Sequence, residues 1–395
     1  MSLKLKLNLL ALVCITLIIG CKKEEPVSVT NSSNQVLKSE LNTFVQTFFE
    51  NKHQLLLSNK SSQANTVSRI NSFFSTPAEA SKCMSEINEL NAIRATAQLN
   101  FTGFHVVAEV NDATVKTAGN ETSFRVNVLY SYTTDGVDET TGDAIAPEGY
   151  ELYNFTLTKA TSGWQIVKQE QTYDETYTPG IVSFENEPLV LEKNSAAYTY
   201  SANTAANWAT AHWNIVTNVS NYYDFTNLGG DCTNFLSRAL REGGWKQTNY
   251  WFYKSAGASG NNMVLYKRSP SYTGANAFYQ FISNTGQYAG INGNNRVTPK
   301  FTNLQVPQAW DSQITWNAFY NIVKTVKKGD IVELGNGQSP ATIGHNMIVT
   351  KTQTTPPYVF VAYRNATGYL PAKDRPINEF YGRKLYGFYV KTSGN

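Results

Sequence analysis

Apolar and polar residues recur along this chain with two different periods, and the changes of period divide it. Over residues 35–60, Leu37, Leu41, Phe44, Val45 and Phe48 stand at helical spacing. Thr76-Pro77-Ala78-Glu79 then sets out a helix start: a threonine cap, a glutamate three residues on, and proline at the first helical position. The helix it predicts runs through Met84, Ile87, Leu90 and Ile93. After it the period falls to two. Phe124, Val126, Val128, Tyr130 and Tyr132 alternate with polar neighbours, as do Tyr153, Phe155 and Leu157, and Gly163-Trp164-Gln165-Ile166-Val167 reads as a strand entered by a turn. Helices followed by antiparallel strands predict an α+β region over 35–172, with helices on one sheet face.

Residues 173–194 lose periodicity, include Pro179-Gly180, and read as a linker. A second patterned region, 195–395, follows. Ala205, Trp208, Ala209, His212 and Trp213 mark one amphipathic helix. Phe235, Leu236, Ala239 and Leu240 share a face of another, which Gly243-Gly244 closes. Ala277, Phe278, Phe281 and Ile282 suggest a short helix between loops rich in Gly, Ser and Asn. Strands are expected at 328–332, 344–349 and 358–363, the last two joined as a hairpin through Thr354-Thr355-Pro356-Pro357. Two separate apolar sets suit two domains in a chain of 395 residues, and predict that 196–395 folds by itself.

Residues 1–21 read as a targeting segment: Lys4 and Lys6, then an apolar run from 7 to 19 broken by Asn8 and Thr16, shorter than the ~20 residues of a membrane span. Ile18-Ile19-Gly20-Cys21 resembles the lipobox of a bacterial lipoprotein signal. That resemblance implies a lipidated Cys21, an exported protein anchored to a bacterial membrane in the cell envelope, and a solvated tether over 22–34. Removing Lys4 and Lys6 takes the formal charge from +3 to +1, too little to argue for a nucleic-acid partner. Cys14 and Cys21 lie in the leader, which leaves Cys83 and Cys232, read as unpaired.

The candidate chemistry lies in Gly229-Gly230-Asp231-Cys232-Thr233-Asn234-Phe235. A cysteine opening a helix after a glycine turn is placed for nucleophilic work, because the thiolate is the reactive form and a helix N-terminus stabilises it. Asp231 is expected to cap the helix through the Asn234 backbone N–H, with the first turn open to a cleft and the thiol pKa below the ~8.5 of a free cysteine. His345, at the start of a strand, is the expected base. If paired positions across the hairpin sum to about 710, Asn365 faces His345 and orients the ring, with Tyr363 or Asp374 as alternatives. His212 is a rival base but, between Ala211 and Trp213, reads as a packing residue. His53 reads as a solvated helix residue and His105 as a strand residue. Neither has a second ligand at metal spacing, and no cofactor is expected. Trp245, Trp251, Phe252 and Tyr253 read as core more than as a substrate groove.

With these residues in place, 195–390 resembles the putative amidase domain family, a relative of the papain-like NlpC/P60 and CHAP groups. The resemblance rests on Asn221-Tyr222-Tyr223, the Gly-Gly-Asp-Cys-Thr-Asn-Phe segment, Gly243-Gly244-Trp245 and His345-Asn346-Met347-Ile348-Val349. It implies a papain-like fold, Cys232 as nucleophile, His345 as base, and hydrolysis of an amide bond in a peptide or peptidoglycan-like substrate. The family pattern has a His-Ser/Thr pair near the hairpin end, where this chain has Ala362-Tyr363-Arg364-Asn365. A binding module without catalysis on the same fold is the competing expectation. The region 35–172 resembles domains of the nuclear-transport-factor or cystatin type.

Overall fold

In a computed structural model of the 395-residue chain, the described residues are 30–58, 63–172, 198–214, 230–248, 250–253, 269–289, 296–335, 342–364 and 370–394. The leader with Cys21, most of the tether and the linker expected at 173–194 lie outside them. The chain divides into Met1–Thr43, of which the first half of helix α1 (Thr30–Gln54) is described, and Phe44–Asn395. The sheet, the cores and the sites below belong to the second unit.

The helical pattern at 35–60 proves to be α1, and an unpredicted α2 (Gln63–Ser72) follows it. Helix α3 (Pro77–Ala95) starts as its sequence predicts, with the Glu79 N–H donating to Thr76 Oγ1 at 3.4 Å. Four antiparallel strands follow: β1 (Phe101–Ala118), β2 (Glu121–Thr134), β3 (Glu148–Ala160) and β4 (Gly163–Thr172). Phe124, Val126, Val128, Tyr153, Phe155 and Leu157 are all buried, and Phe48 and Phe49 of α1 meet Phe155 and Tyr153 at ring centroids 5.8 and 5.0 Å apart. His53 is not solvated. It is 1% exposed, with Nδ1 2.6 Å from the Tyr132 hydroxyl, because its turn of α1 faces the sheet. His105 is an exposed residue of β1.

Beyond the linker come β5 (Tyr198–Thr199), helices α4 (Ala202–His212), α5 (Cys232–Glu242), α6 (Pro270–Thr273) and α7 (Ala275–Ser283), and strand β6 (Val297–Gln305). Helix α8 (Gln313–Val323) leads into β7 (Ile331–Gly335), β8 (Ile343–Thr352), β9 (Val359–Tyr363), β10 (Ala372–Pro376) and β11 (Lys384–Val390). A short β12 (Ser393–Gly394) pairs with β5.

One antiparallel sheet runs through both patterned regions in the order β1-β2-β3-β10-β9-β8-β7-β11-β6, with β4 also on β3. The join is Ala372↔Gly149 and Lys373↔Glu148. Buried polar contacts reinforce it: Arg94 Nε to Glu379 Oε1 at 2.9 Å, Lys328 Nζ to Asp138 Oδ2 at 3.0 Å, and Asn378 Nδ2 to the Ile93 carbonyl at 3.1 Å. The class is α+β, with a mostly antiparallel sheet.

Successive strand residues point to opposite faces, and the two cores here follow that rule. Ile331, Ile348 and Ala362 pack with Phe235, Leu236, Ala239 and Leu240 of α5 on one face. Val332, Leu334, Met347, Val349, Val361 and Tyr363 pack with Trp316, Phe319 and Tyr320 of α8 on the other. No helix among the described residues is long and apolar enough to cross a membrane.

Candidate active site

Helix α5 begins at Cys232, one residue after Asp231 and two after Gly230, whose φ of +96° lies in the left-handed region that glycine favours. Its far end is fixed by Gly244, at φ +109°, where a Cβ would run into the Thr199 carbonyl. The apolar stripe of Phe235, Leu236, Ala239 and Leu240, each 0% exposed, presses the helix onto β8 and β9.

The thiol is enclosed. Cys232 is 4% exposed, and its Sγ lies 3.7 Å from Thr233 Oγ1. Burial pushes the thiol up to about 11, against smaller opposing contributions from bonds to the backbone of Asn346 and to Thr233. Desolvation, the largest cause, thus acts against the depression expected from the sequence. Cys83, also buried, is likewise a free thiol.

Asp231 occupies the N-cap position without a side-chain cap bond. Its carboxylate instead meets Arg364 NH1 at 3.1 Å and accepts from Asn234 Nδ2 at 2.9 Å, with both ions of the pair almost wholly buried. The first turn of α5 is thus tied to the end of β9. Beside it, the Asn346 amide lies 3.1 Å from Thr233 Oγ1. Turned so that its oxygen accepts from that hydroxyl, its nitrogen donates to Glu333 Oε1 at 3.1 Å and to the His345 carbonyl at 3.2 Å. Glu333 is 0% exposed, and burial raises its carboxyl well above the usual carboxylate range. Its Oε2 has no hydrogen-bond partner. A chain of polar groups, Cys232–Thr233–Asn346–Glu333, therefore lies on the thiol's face of the sheet.

His345 lies on the opposite face. It pairs with Leu334, as Asn346 pairs with Glu333, and its ring meets Tyr363 edge-on with centroids 4.7 Å apart. The residue is 1% exposed, and burial, with the nearby Arg375 charge, pushes its pKa down to about 3. Among the described residues no hydrogen bond joins this imidazole to the thiol, and the residue that faces Thr233 is Asn346.

The hairpin register is the expected one at Ile348↔Ala362 and Val349↔Val361. Asn365 lies outside the described residues. Of the alternatives, Tyr363 touches the His345 ring, whereas Asp374 accepts from Thr350 Oγ1 at 2.9 Å and pairs with Lys351 Nζ at 3.1 Å. His212 stacks on Trp208 at 4.4 Å with Nδ1 2.7 Å from the Trp208 carbonyl, and Trp208 packs on Phe235. Trp245 and Trp251 are core residues, 2% and 0% exposed, in edge-on contact.

Glu333 and Arg364 did not stand out in the sequence. Glu333 carries a signal in retrospect, since it is the one charge inside Ile331-Val332-Glu333-Leu334.

The fold and the site define an α+β domain with a free thiol at a helix N-terminus, held against an antiparallel sheet. Residues 199–389 match the family described as "Putative amidase domain". At a coarse level that match suggests amide-bond hydrolysis. No curated protein matches the chain. Among solved structures, the intermembrane space region of the chloroplast protein ARC6 is similar at 9% identity, over 33% of this chain and 95% of that one, with a TM-score of 0.22. A likeness that slight carries no argument about this protein.

Proposed function

We propose that residues 199–389 are a papain-like cysteine hydrolase that cleaves an amide bond with Cys232 as nucleophile. The observation that carries the reading is the thiol on the first residue of a firmly docked helix, next to the Thr233–Asn346–Glu333 chain. The enclosed, protonated thiol and the neutral imidazole are then a resting state.

A change of one residue in the phase of β8 exchanges His345 and Asn346 between faces. The strand already contains an irregularity that supplies such a residue, because the β7 pairing passes from Leu334↔His345 to Gly335↔Ile343 and skips Gly344. Moving that extra residue beyond Asn346 sets His345 opposite Glu333 and beside Thr233. The Glu333 carboxyl, with one oxygen unpartnered at rest, then orients the imidazole. Asn365 is the other candidate for that role.

His345 takes the Cys232 proton, the thiolate adds to the amide carbonyl, and backbone N–H groups of the first turn of α5 stabilise the oxyanion. The amine leaves with the proton from His345, and water hydrolyses the thioester. Envelope placement through a lipidated Cys21 makes a peptide or peptidoglycan stem peptide the natural substrate class. The helices and sheet of 35–172 fit an accessory domain of nuclear-transport-factor or cystatin type.

The test is turnover of peptidoglycan and model peptides, read by mass spectrometry. The wild type should release product, Cys232→Ser and His345→Ala none, and Glu333→Gln less than Asn365→Ala. An active His345→Ala enzyme would remove His345 as base and make His212 the next residue to test. Residence of the Cys21→Ser protein in the membrane fraction with a lipid label would sink the anchor.

A second reading has an observation of its own. With the thiol at about 11 and the imidazole on the far face, the resting arrangement suits a binding module that has lost catalysis. Absence of turnover together with a saturable peptide ligand would favour it.

A further inference from the structure

A cavity of about 320 Å³ lies between α1, α3 and strands β2 and β3 on one side, and β9, β10 and the turn at 377–380 on the other. That volume is of the order of ten waters. Cys232 is not among its lining residues, and none of the chemistry above uses it.

Its charges do not balance. Lys52, Arg94, Arg375 and Arg383 line it against Glu86, Glu151 and Glu379, one positive charge in excess. The excess is centred on Glu379, whose Oε1 meets Arg94 Nε at 2.9 Å while its Oε2 meets Arg375 Nε at 3.4 Å. Two guanidiniums thus share one carboxylate. Lys52 is compensated differently: it donates to the Tyr153 hydroxyl at 2.7 Å, which donates to Glu151 Oε2 at 3.0 Å.

Two buried nitrogens on the wall have no hydrogen-bond partner, His53 Nε2 and Arg375 Nε. His53 is only 1% exposed, and burial and the charges of Lys52 and Arg94 hold its ring neutral. His53 Nδ1 lies 2.6 Å from the Tyr132 hydroxyl, and in the tautomer that accepts the hydroxyl proton there the ring hydrogen is on Nε2. In that tautomer Nε2 is a donor without a hydrogen-bond partner, on a residue that lines the cavity. Tyr130, Tyr150 and Tyr381 add phenol groups that burial keeps un-ionised.

Unsatisfied donors, one surplus cation and aromatic walls call for a small anion with a polar body. We propose that this cavity binds a monocarboxylate of small-molecule size, held by Arg375 and His53. A single carboxylate cancels the excess, whereas a phosphate dianion overshoots it. Tyr363 lines one wall, where Arg375 NH1 donates to its hydroxyl at 2.6 Å, and its ring meets that of His345 edge-on.

The probe is N-acetylalanine, with N-acetylalaninamide as its uncharged counterpart and inorganic phosphate as the competing anion. Titration calorimetry and thermal shift on the full mature protein should show saturable binding of the acid at least tenfold tighter than of the amide or phosphate. Cys232→Ser should bind it equally, which separates this site from the proposed hydrolase. Arg375→Gln and His53→Phe should each weaken binding tenfold or more. Equal response to acid and amide, tighter binding of phosphate, or no binding by the folded wild type would overturn the proposal, whatever the variants do.

Discussion

Glu379→Gln is the substitution that most directly probes how the two patterned regions are held together. Glu379 lies in the 3₁₀ turn Ile377–Phe380 after β10, and its carboxylate is shared by Arg94 of α3 and Arg375 of β10. The Arg94 guanidinium also lies 3.8 Å from the Phe101 ring centroid, and the residue is only 9% exposed. Removing one partner of a buried pair leaves an uncompensated charge and typically costs about 3–5 kcal/mol. Unfolding entropy near ~2.1 cal/mol/K per residue gives ~0.74 kcal/mol/K for a unit of roughly 350 residues. The melting temperature should therefore fall by about 4–7 °C, as read by calorimetry at neutral pH. A double replacement, Arg94→Met with Glu379→Leu, should recover most of the loss, because an apolar pair of similar volume removes the desolvation cost as well. A fall under about 1 °C in Glu379→Gln would refute the reasoning, since it would mean that the guanidiniums find water when the carboxylate goes.

Two further outcomes follow from the same structure. Glu333 has its pKa raised by burial, so its contribution to stability is whole below the unfolded value of about 4.3 and is lost as pH rises toward the folded value. Glu333→Gln should then raise the melting temperature at pH 7 and leave it nearly unchanged at pH 4, with a difference of at most about 4 kcal/mol; equal shifts at both pH values would contradict a neutral buried acid. Residues 196–395 expressed alone should unfold or aggregate, since β10 loses its β3 neighbour and Lys328 and Glu379 lose Asp138 and Arg94. A sharp, native-like melt and a dispersed amide spectrum from that fragment would show that the shared sheet is dispensable.

Strands β2 and β3 were legible in the sequence because one face is solvated and the other packs on α1, which writes a period of two. The start of α3 was legible for a local reason too, its threonine cap and proline. Of the edge strand β1 only a strand at His105 was read, because the polar stretch around Asn111 and Asp112 carries a register shift and masks the alternation. Strand β10 was invisible: Ala-Lys-Asp-Arg-Pro has no strand propensity, and it forms because β3 and β9 flank it. The cysteine helix and the hairpin register could be read. The phase of β8 could not. Both of its faces are buried, so Gly344-His345-Asn346-Met347-Ile348-Val349 shows no alternation to tell which side His345 takes. That is why the expected thiol–imidazole contact was the part of the site that the sequence could not decide.

The central claim is that Cys232 forms a covalent acyl intermediate with an amide substrate. Rapid acid quench of the wild type during turnover of peptidoglycan fragments, followed by peptide mass spectrometry, should find an acyl mass on the peptide carrying Cys232. The adduct should be missing from Cys232→Ser and from His345→Ala, and Cys83 should carry none. Product formed by Cys232→Ser at the wild-type rate, or an active wild type with no adduct at any quench time and no burst of amine release, would contradict the account.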